Sequence, residues 1–250
     1  MRFLIKFSYD GSNYAGYQIQ PGKNTVQECL EKALTEVNNH KKTIIHSSGR
    51  TDKGVHAKAQ YAHADIDVDI TPNKLKRALN SNLPDDIHVI ETMIVDDKFH
   101  ARYNTKSKKY EYYINLGEYN PIEKNYVFQY NHELNVSAMK DAIKVFLGEH
   151  DFRAFVTDNK EKENCVRTIT KATIDEIDEK LKITFEGTGF LRYQVRNMVG
   201  ILIKVGENKI STEDVEKILL SKDRTKSGKT APANGLYLCD VYYDKLNIMK

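Results

Sequence analysis

"KTIIHSSGRTDKGVHAKAQYAHADIDVDI" runs from Lys42 to Ile70, and its reading decides how the rest of the chain is organised. Its centre, Gly49 to Gly54, is too polar and glycine-punctuated for a strand interior and too short for a helix. Before it, "KTIIHSS" has the β-branched character of a short strand. After it, Val55 to Ile70 alternates apolar and polar residues, the period of a half-buried strand. The alternation places Asp65, Asp67 and Asp69 on the wet face of that strand. A calcium loop beginning at Asp65 would need glycine and glutamate where the chain has Ile70 and Lys76. The pattern is strand, charged loop, strand, with one carboxylate, Asp52, between Arg50 and Lys53. Asp52 has two readings. A turn uses aspartate for local hydrogen bonding. A nucleophile uses a carboxylate that stays ionised, which both neighbouring cations favour. A lone carboxylate suits nucleophilic catalysis better than divalent-metal binding, because hard cations want several oxygen ligands.

Working outward, Phe3, Ile5, Phe7 and Tyr9 alternate with Arg2, Leu4, Lys6 and Ser8, which predicts a strand. "TVQECLEKALTEV" places Val26, Cys29, Leu30, Ala33, Leu34 and Val37 on one helical stripe, with Thr25 and Glu28 at capping-box spacing. Thr71-Pro72 opens a second helix, and "DIHVIETMIV" is a strand. The first hundred residues read β-α-β-β-α-β. The remainder repeats that order. "KKYEYYINL" is a strand, and Asn135 caps a helix carrying Met139, Ala142, Ile143, Phe146 and Leu147. "RTITKATIDEID" and "KLKITFEG" form a hairpin. "GFLRYQVRNMVGILIKVG" is a helix ending at Gly206, "STEDVEKILLS" is a short helix and "GLYLCDVYYD" is a last strand. "KSGKTAPANG" reads as the loosest loop. The expected fold is α+β: two ferredoxin-like halves, 1–105 with the loop 49–54 and 106–250, whose antiparallel sheets join into one extended mixed sheet with helices on one face.

The chain has 250 residues, 40% apolar and 29% charged, enough for a substantial core and against wholesale disorder. The net charge of +3 permits nucleic acid without demanding it. Three widely spaced cysteines form no CxxC, which predicts a reducing compartment without disulfides. "MRFLIKFSYDG" lacks the apolar run of a signal peptide, and no stretch approaches the ~18 apolar residues of a membrane span. A soluble cytoplasmic protein is expected. The eight histidines form no HExxH. No phosphate-binding loop or nucleophile elbow is present, and "GTGF" has Arg192 where a dinucleotide fingerprint needs a third glycine.

"RYNTKSKKY", from Arg102 to Tyr110, carries Arg102, Lys106, Lys108 and Lys109 without an acid, bracketed by Tyr103 and Tyr110. Cations neutralise phosphates and aromatic faces stack on bases, so the pattern suits RNA; a solvated strand end would give it too.

Several stretches together resemble the TruA-type family of tRNA pseudouridine synthases. They are "SYDGSNYAGYQIQPGKNTVQ", "SSGRTDKGVHA", "FHARYNTKSKKYEYYI", "GEHDFRAF", "VRTI", "GFLRYQVRNMVG" and "TAPANGLYL", in family order over nearly the whole chain. The resemblance implies an enzyme that breaks the N1–C1′ bond of a uridine in RNA and rejoins the uracil through C5, with no metal or organic cofactor. It makes Asp52 the essential carboxylate, attacking C1′ or removing a C2′ proton. Tyr110 stacks on the target uracil, Arg196 pairs with the carboxylate, Arg50 helps hold the RNA or the flipped nucleotide, and Leu236 lines the uracil pocket. It further implies a homodimer gripping tRNA and acting at uridines 38 to 40 of the anticodon arm. Arg192, Gln194 and Asn234 depart from the family's more usual residues, leaving room for a shifted target such as ribosomal RNA. A non-catalytic RNA-binding protein is the contrasting reading, and the intact Asp52, Tyr110 and Arg196 argue against it.

Overall fold

The computed structural model describes residues 1–157 and 164–244. Contacts divide the chain into two units, Met1–Lys106 together with the chain from Tyr237 onward, and Ser107–Leu236.

The first unit begins with β1 (Arg2–Tyr9), α1 (Val26–Val37), β2 (His46–Ser47), β3 (His56–Asp65), α2 (Pro72–Asn82) and β4 (Ile87–Val95). This is the β-α-β-β-α-β order that the periodicities predict. β1 lies antiparallel between β3 and β4, with Ile5 opposite Ala62 on one side and Thr92 on the other. Leu30, Ala33 and Leu34 of α1 and Leu75 and Leu79 of α2 are buried, as one apolar stripe per helix requires. α2 packs against β4 and α1 against α2. Phe3, Leu4 and Ile5 are all fully buried, so β1 is covered on both faces at its middle.

The second unit contains most of β5 (Thr105–Asn115), then β6 (Phe128–Gln129), α3 (Val136–Ala142), β7 (Gly148–Asp151), β8 (Val166–Ile177), β9 (Lys180–Gly187), α4 (Gln194–Gly206) and α5 (Thr212–Ser221). Its strands run β5–β9–β8–β7, each pair antiparallel. Phe146, Phe152, Phe155 and Phe185 are fully buried. Phe146 meets Phe155 edge to face at 5.3 Å, a pairing that adds about 0.5–1.5 kcal/mol beyond burial. The Asn135 side chain caps α3 by accepting the Ala138 N–H. The last strand, β10 (Leu236–Tyr243), runs parallel to β3 through Tyr237–His56 and Leu238–Ala57, giving the first unit the order β4–β1–β3–β10. The α+β class holds, with mostly antiparallel strands in each unit.

Several local expectations change. From Tyr237 the chain belongs to the first unit, not to a half running from 106 to 250, because β10 pairs with β3. The strand expected in "KTIIHSS" shrinks to His46–Ser47. β3 ends at Asp65, so Asp67 and Asp69 lie beyond it; the Asn38 side chain takes the Asp67 N–H at 2.9 Å and turns the backbone out of the sheet. Asp65 pairs with Arg2 and Asp67 with Lys41. The Thr25–Glu28 box does not form. Backbone carbonyls of Gly16 and Tyr17 receive the N–H groups of Val26 and Gln27, and Glu28 pairs with Lys32. α4 begins at Gln194, because Tyr193 adopts φ +62° and the Gln194 side chain closes the preceding turn on the Leu191 N–H at 2.9 Å. Gly206 is its last helical residue instead of a left-handed cap; a side chain there would press on Met139 Sδ at 2.7 Å. α3 tightens into a 3-10 turn over Ile143–Phe146, which leaves Leu147 exposed.

Candidate active site

The loop between β2 and β3 carries Arg50 and Lys53 exposed to water and Asp52 half-buried between them. Thr51, immediately before Asp52, is held from three directions. Its carbonyl accepts the Tyr17 N–H at 3.1 Å, its hydroxyl lies 2.7 Å from that of buried Tyr9, and Gly16 packs directly on its backbone. Gly16 has φ +112°, and a side chain there would sit 2.9 Å from the Thr51 carbonyl, so only glycine permits the approach. Burial pushes the Tyr9 phenol well above its ordinary pKa, so it stays a neutral hydrogen-bonding group.

Both ends of the loop are tied as well. Upstream, Gln60 is fully buried and donates to the Gly49 carbonyl at 3.0 Å, while its own carbonyl accepts the Ser48 hydroxyl and the Tyr61 N–H. Downstream, Val55 N–H returns to the Asp52 carbonyl at 3.2 Å. A methyl group on Gly11 would run into the Val55 carbonyl, so the segment after β1 lies flush against the loop. His56, 2% exposed, accepts the Gly11 N–H on Nδ1 at 3.1 Å and stacks on Tyr237 at 4.8 Å. That acceptor role places its proton on Nε2. Asp10 lies 3.1 Å from the same Nδ1, but its Oδ1 already takes the Ser12 N–H and hydroxyl. The result is a short loop whose backbone is held at Gly49, Thr51, Asp52 and Val55, with both cations exposed and the carboxylate half-buried.

In the second unit Tyr110 sits on β5 opposite Phe185, 8% exposed, with its ring edge-on to Phe190 at 5.1 Å. Arg196 is in the first turn of α4. Its Nε donates to the Ala231 carbonyl at 2.8 Å, and Ala231 N–H returns to the Arg196 carbonyl at 3.1 Å. Its guanidinium lies 5.1 Å from the Tyr193 ring centre, a cation–π distance. Leu236 is buried at the start of β10. The four basic candidates differ. Arg102 is exposed, Lys106 is exposed and paired with Asp244 at 2.7 Å, Lys108 is half-buried, and Lys109 is committed to the buried Glu111 at 2.9 Å. Arg50, Asp52, Arg102 and Lys106 thus belong to the first unit, and Lys108, Lys109, Tyr110, Arg196 and Leu236 to the second.

The sequence profile of a family described as tRNA pseudouridine synthase matches residues 5–104 and 142–244. The chain belongs to the tRNA pseudouridine synthase family. It is 43% identical over 247 residues to tRNA pseudouridine synthase A of Streptococcus mutans, covering 98% of this chain and 99% of that one. It is 44% identical over 243 residues to that of Shouchella clausii (97% and 93%) and 42% identical over 247 residues to that of Limosilactobacillus reuteri (97% and 96%).

In this synthase the matched spans include Arg50, Asp52, Arg102, Arg196 and Leu236, while Lys106, Lys108, Lys109 and Tyr110 fall between them. Among the described residues no helix is long and apolar enough to cross a membrane. Sequence reasoning missed the supports of the loop: Tyr9, Gly11, Gly16 and Gln60. Gly11 and Gly16 were in view within "SYDGSNYAGYQ", but nothing local says that a glycine's contact lies some forty residues downstream.

Proposed function

We propose that this synthase isomerises uridine to pseudouridine at positions 38, 39 or 40 of the tRNA anticodon stem-loop, without a cofactor and with Asp52 as nucleophile. Uridine and pseudouridine are isomers. The N1–C1′ bond breaks, the C5–C1′ bond forms, the C5 hydrogen leaves as a proton and N1 gains one, so no oxidant or reductant is required. Asp52 acts on the ribose, by addition at C1′ or by removal of the C2′ proton. A carboxylate with an ordinary pKa of about 3.9 is ionised at neutral pH, and Arg50 and Lys53 on either side favour that form. The observation that carries the reading is the immobilised backbone around Asp52: Thr51 is gripped by Tyr9, Gly16 and Tyr17. Positional precision of this kind is what a nucleophile needs and a solvated turn does not.

The target base must leave its stack, at a cost of roughly a few kcal/mol. Stacking on Tyr110, worth about 1–3 kcal/mol per base, offsets much of it. Arg50 holds the RNA, Leu236 supplies an apolar wall for the uracil, and Arg196, fixed by Ala231, supplies a cation that does not wander. The working form is a homodimer, which light scattering checks directly.

Tritium release from tRNA labelled at uridine C5, with EDTA present, tests the chemistry. Wild type releases tritium; Asp52→Asn binds tRNA normally and is slower by roughly a thousandfold or more. Normal turnover by Asp52→Asn removes the nucleophile, and release abolished by EDTA removes the cofactor-free route. Mapping the product fixes the positions; modification of ribosomal RNA alone would replace the tRNA target.

A further inference from the structure

The turn joining β4 to β5 presents an aromatic ring to solvent on a stiff base. Arg102, Tyr103 and Asn104 are exposed, and Tyr103 is 78% so. The backbone beneath them is tied at nearly every position. His100 N–H donates to Asn104 Oδ1 at 2.7 Å, and Asn104 N–H returns to the His100 carbonyl at 3.0 Å. His100 Nδ1 accepts from the Arg102 N–H at 3.1 Å and the Tyr103 N–H at 3.4 Å. His63 Nδ1 accepts from the Ala101 N–H at 3.1 Å, and the Ala101 carbonyl receives the hydroxyls of Thr105 and Tyr243. The rings form a compact cluster, with His46 also 5.9 Å from His100. Tyr103 lies 4.2 Å from His100, His100 lies 4.7 Å from His63, and His63 stacks on His46 at 5.0 Å. Tyr103 lies at the edge of this cluster and stays largely exposed.

We propose that Tyr103 and Arg102 form a landing site for one unpaired nucleotide of the tRNA, Tyr103 stacking on the base and Arg102 meeting its phosphate. The proposal rests on the reading that tRNA is the substrate. A nucleotide offers a flat face and an adjacent anion, the pair that neighbouring tyrosine and arginine side chains recognise. The charge around the turn agrees. Lys98 and Arg102 lie in it with no acid between them, Lys106 at its end is paired with Asp244, Asp96 is taken up by the Lys98 N–H at 2.8 Å, and Asp65 is held by Arg2. Among the described residues Arg102 has no carboxylate within ion-pair reach. Burial lowers the pKa of His63 and His100, which keeps both imidazoles neutral and their Nδ1 lone pairs available to the turn. The turn's backbone is held by hydrogen bonds while the Tyr103 ring, against His100 on one side, stays 78% exposed, which leaves it open to a flat partner.

Equilibrium binding of full-length unmodified tRNA to wild type, Tyr103→Phe, Tyr103→Ser and Arg102→Ala, over a range of salt concentrations, tests this. Tyr103→Phe binds as wild type. Tyr103→Ser weakens binding about five- to a hundredfold, the loss of one base stack, and leaves the salt dependence unchanged. Arg102→Ala reduces the slope of log affinity against log salt by about one. In tritium release, Tyr103→Ser raises KM and leaves kcat alone. Wild-type affinity in Tyr103→Ser overturns the proposal. So does a change in its mass by light scattering, which would make this turn a protein–protein contact. A wild type that binds tRNA and releases no tritium would refute the catalytic reading while leaving the binding comparison intact.

Discussion

The loop around Asp52 and the loop from Lys222 to Gly235 are both basic and glycine-punctuated, yet they are held in opposite ways. Around Asp52 the grip is close backbone approach: Gly11 against Val55, Gly16 against Thr51, with hydrogen bonds filling the remaining directions. In the second loop the grip is a side-chain hub. Arg224 donates to the Ser227 hydroxyl and Gly228 carbonyl from Nη1, and to Asn197 Oδ1 and the Thr230 hydroxyl from Nη2. Asn197, fully buried in α4, passes the restraint on to the Phe155 carbonyl at 2.6 Å. A backbone clamp cannot accept an added atom; a side-chain hub cannot lose one. Each loop therefore has its own way of failing.

The largest effect is expected at Gly11. In Gly11→Ala the new methyl group meets the Val55 carbonyl, which is backbone and cannot rotate away. A loss of about 3 kcal/mol, with most of the activity, follows from overpacking at a site with no slack. Thermal melting beside tritium release measures both; a wild-type melting temperature would mean that the two segments are not in the contact described. Next comes Arg224→Ala, which removes the Gly228 carbonyl's side-chain donor and leaves the Asn197 side-chain carbonyl oxygen with the Thr230 hydroxyl alone. About 2 kcal/mol is expected, and Arg224→Lys recovers little, because an ammonium group cannot fork to four acceptors. Full recovery by lysine would show that charge alone holds the loop.

What the sequence made legible follows the same division. β1, β3, β4, α1 and α2 were readable because their apolar residues recur with the period of a strand or a helix, and periodicity is a local property of the sequence; the half-buried strand expected at β3 is instead buried on both faces from His56 to Ala64, Lys58 apart. The Asn135 cap, also local, was readable too. The pairing of β10 with β3 was not, since Tyr237 and His56 meet only after the chain has built a whole second unit. The segment "KSGKTAPANG" looked loose because its composition is that of a loop; its anchors, Asn197 and Arg224, lie outside it. One miss had a local signal. Lys109 and Glu111 are two apart on a strand and so share a face, which the period of two would have exposed as an ion pair before Lys109 was offered to RNA.

A smaller effect concerns the hydrogen-bonded turn at Ala101, which depends on the protonation of one histidine. His63 accepts the Ala101 N–H and must be neutral to do so. Burial first, then the nearby Arg2, His100 and His46, push its pKa down to about 4, against the opposing pull of Asp65. The unfolded chain takes up a proton below about pH 6.5 that the folded chain refuses until about pH 4. This contribution to stability is therefore complete above about pH 6.5 and is lost progressively down to about pH 4. Denaturation midpoints between about pH 7 and pH 5 should fall, and His63→Asn, which keeps an acceptor and loses the titration, should flatten the fall. A midpoint that rises on acidification would place the proton elsewhere.

The smallest effect concerns the start of α1, where backbone and side chain compete for one job. Thr25 has the spacing of a capping residue, and a working cap loses about 1 kcal/mol when its hydroxyl is removed. Here the carbonyls of Gly16 and Tyr17 already receive the first helical N–H groups, and Thr25 Oγ1 is buried without a hydrogen-bond partner. A buried hydroxyl with no partner is a cost, and Thr25 sits at φ −139°, extended backbone that valine adopts readily. Thr25→Val should therefore leave stability unchanged or raise it by up to about 1 kcal/mol. Because Gly16 both supports Thr51 and offers its carbonyl to α1, the result also tests whether one glycine serves the loop and the helix together. A loss of about 1 kcal/mol in the denaturation midpoint would restore the capping box and leave Gly16 with the loop alone.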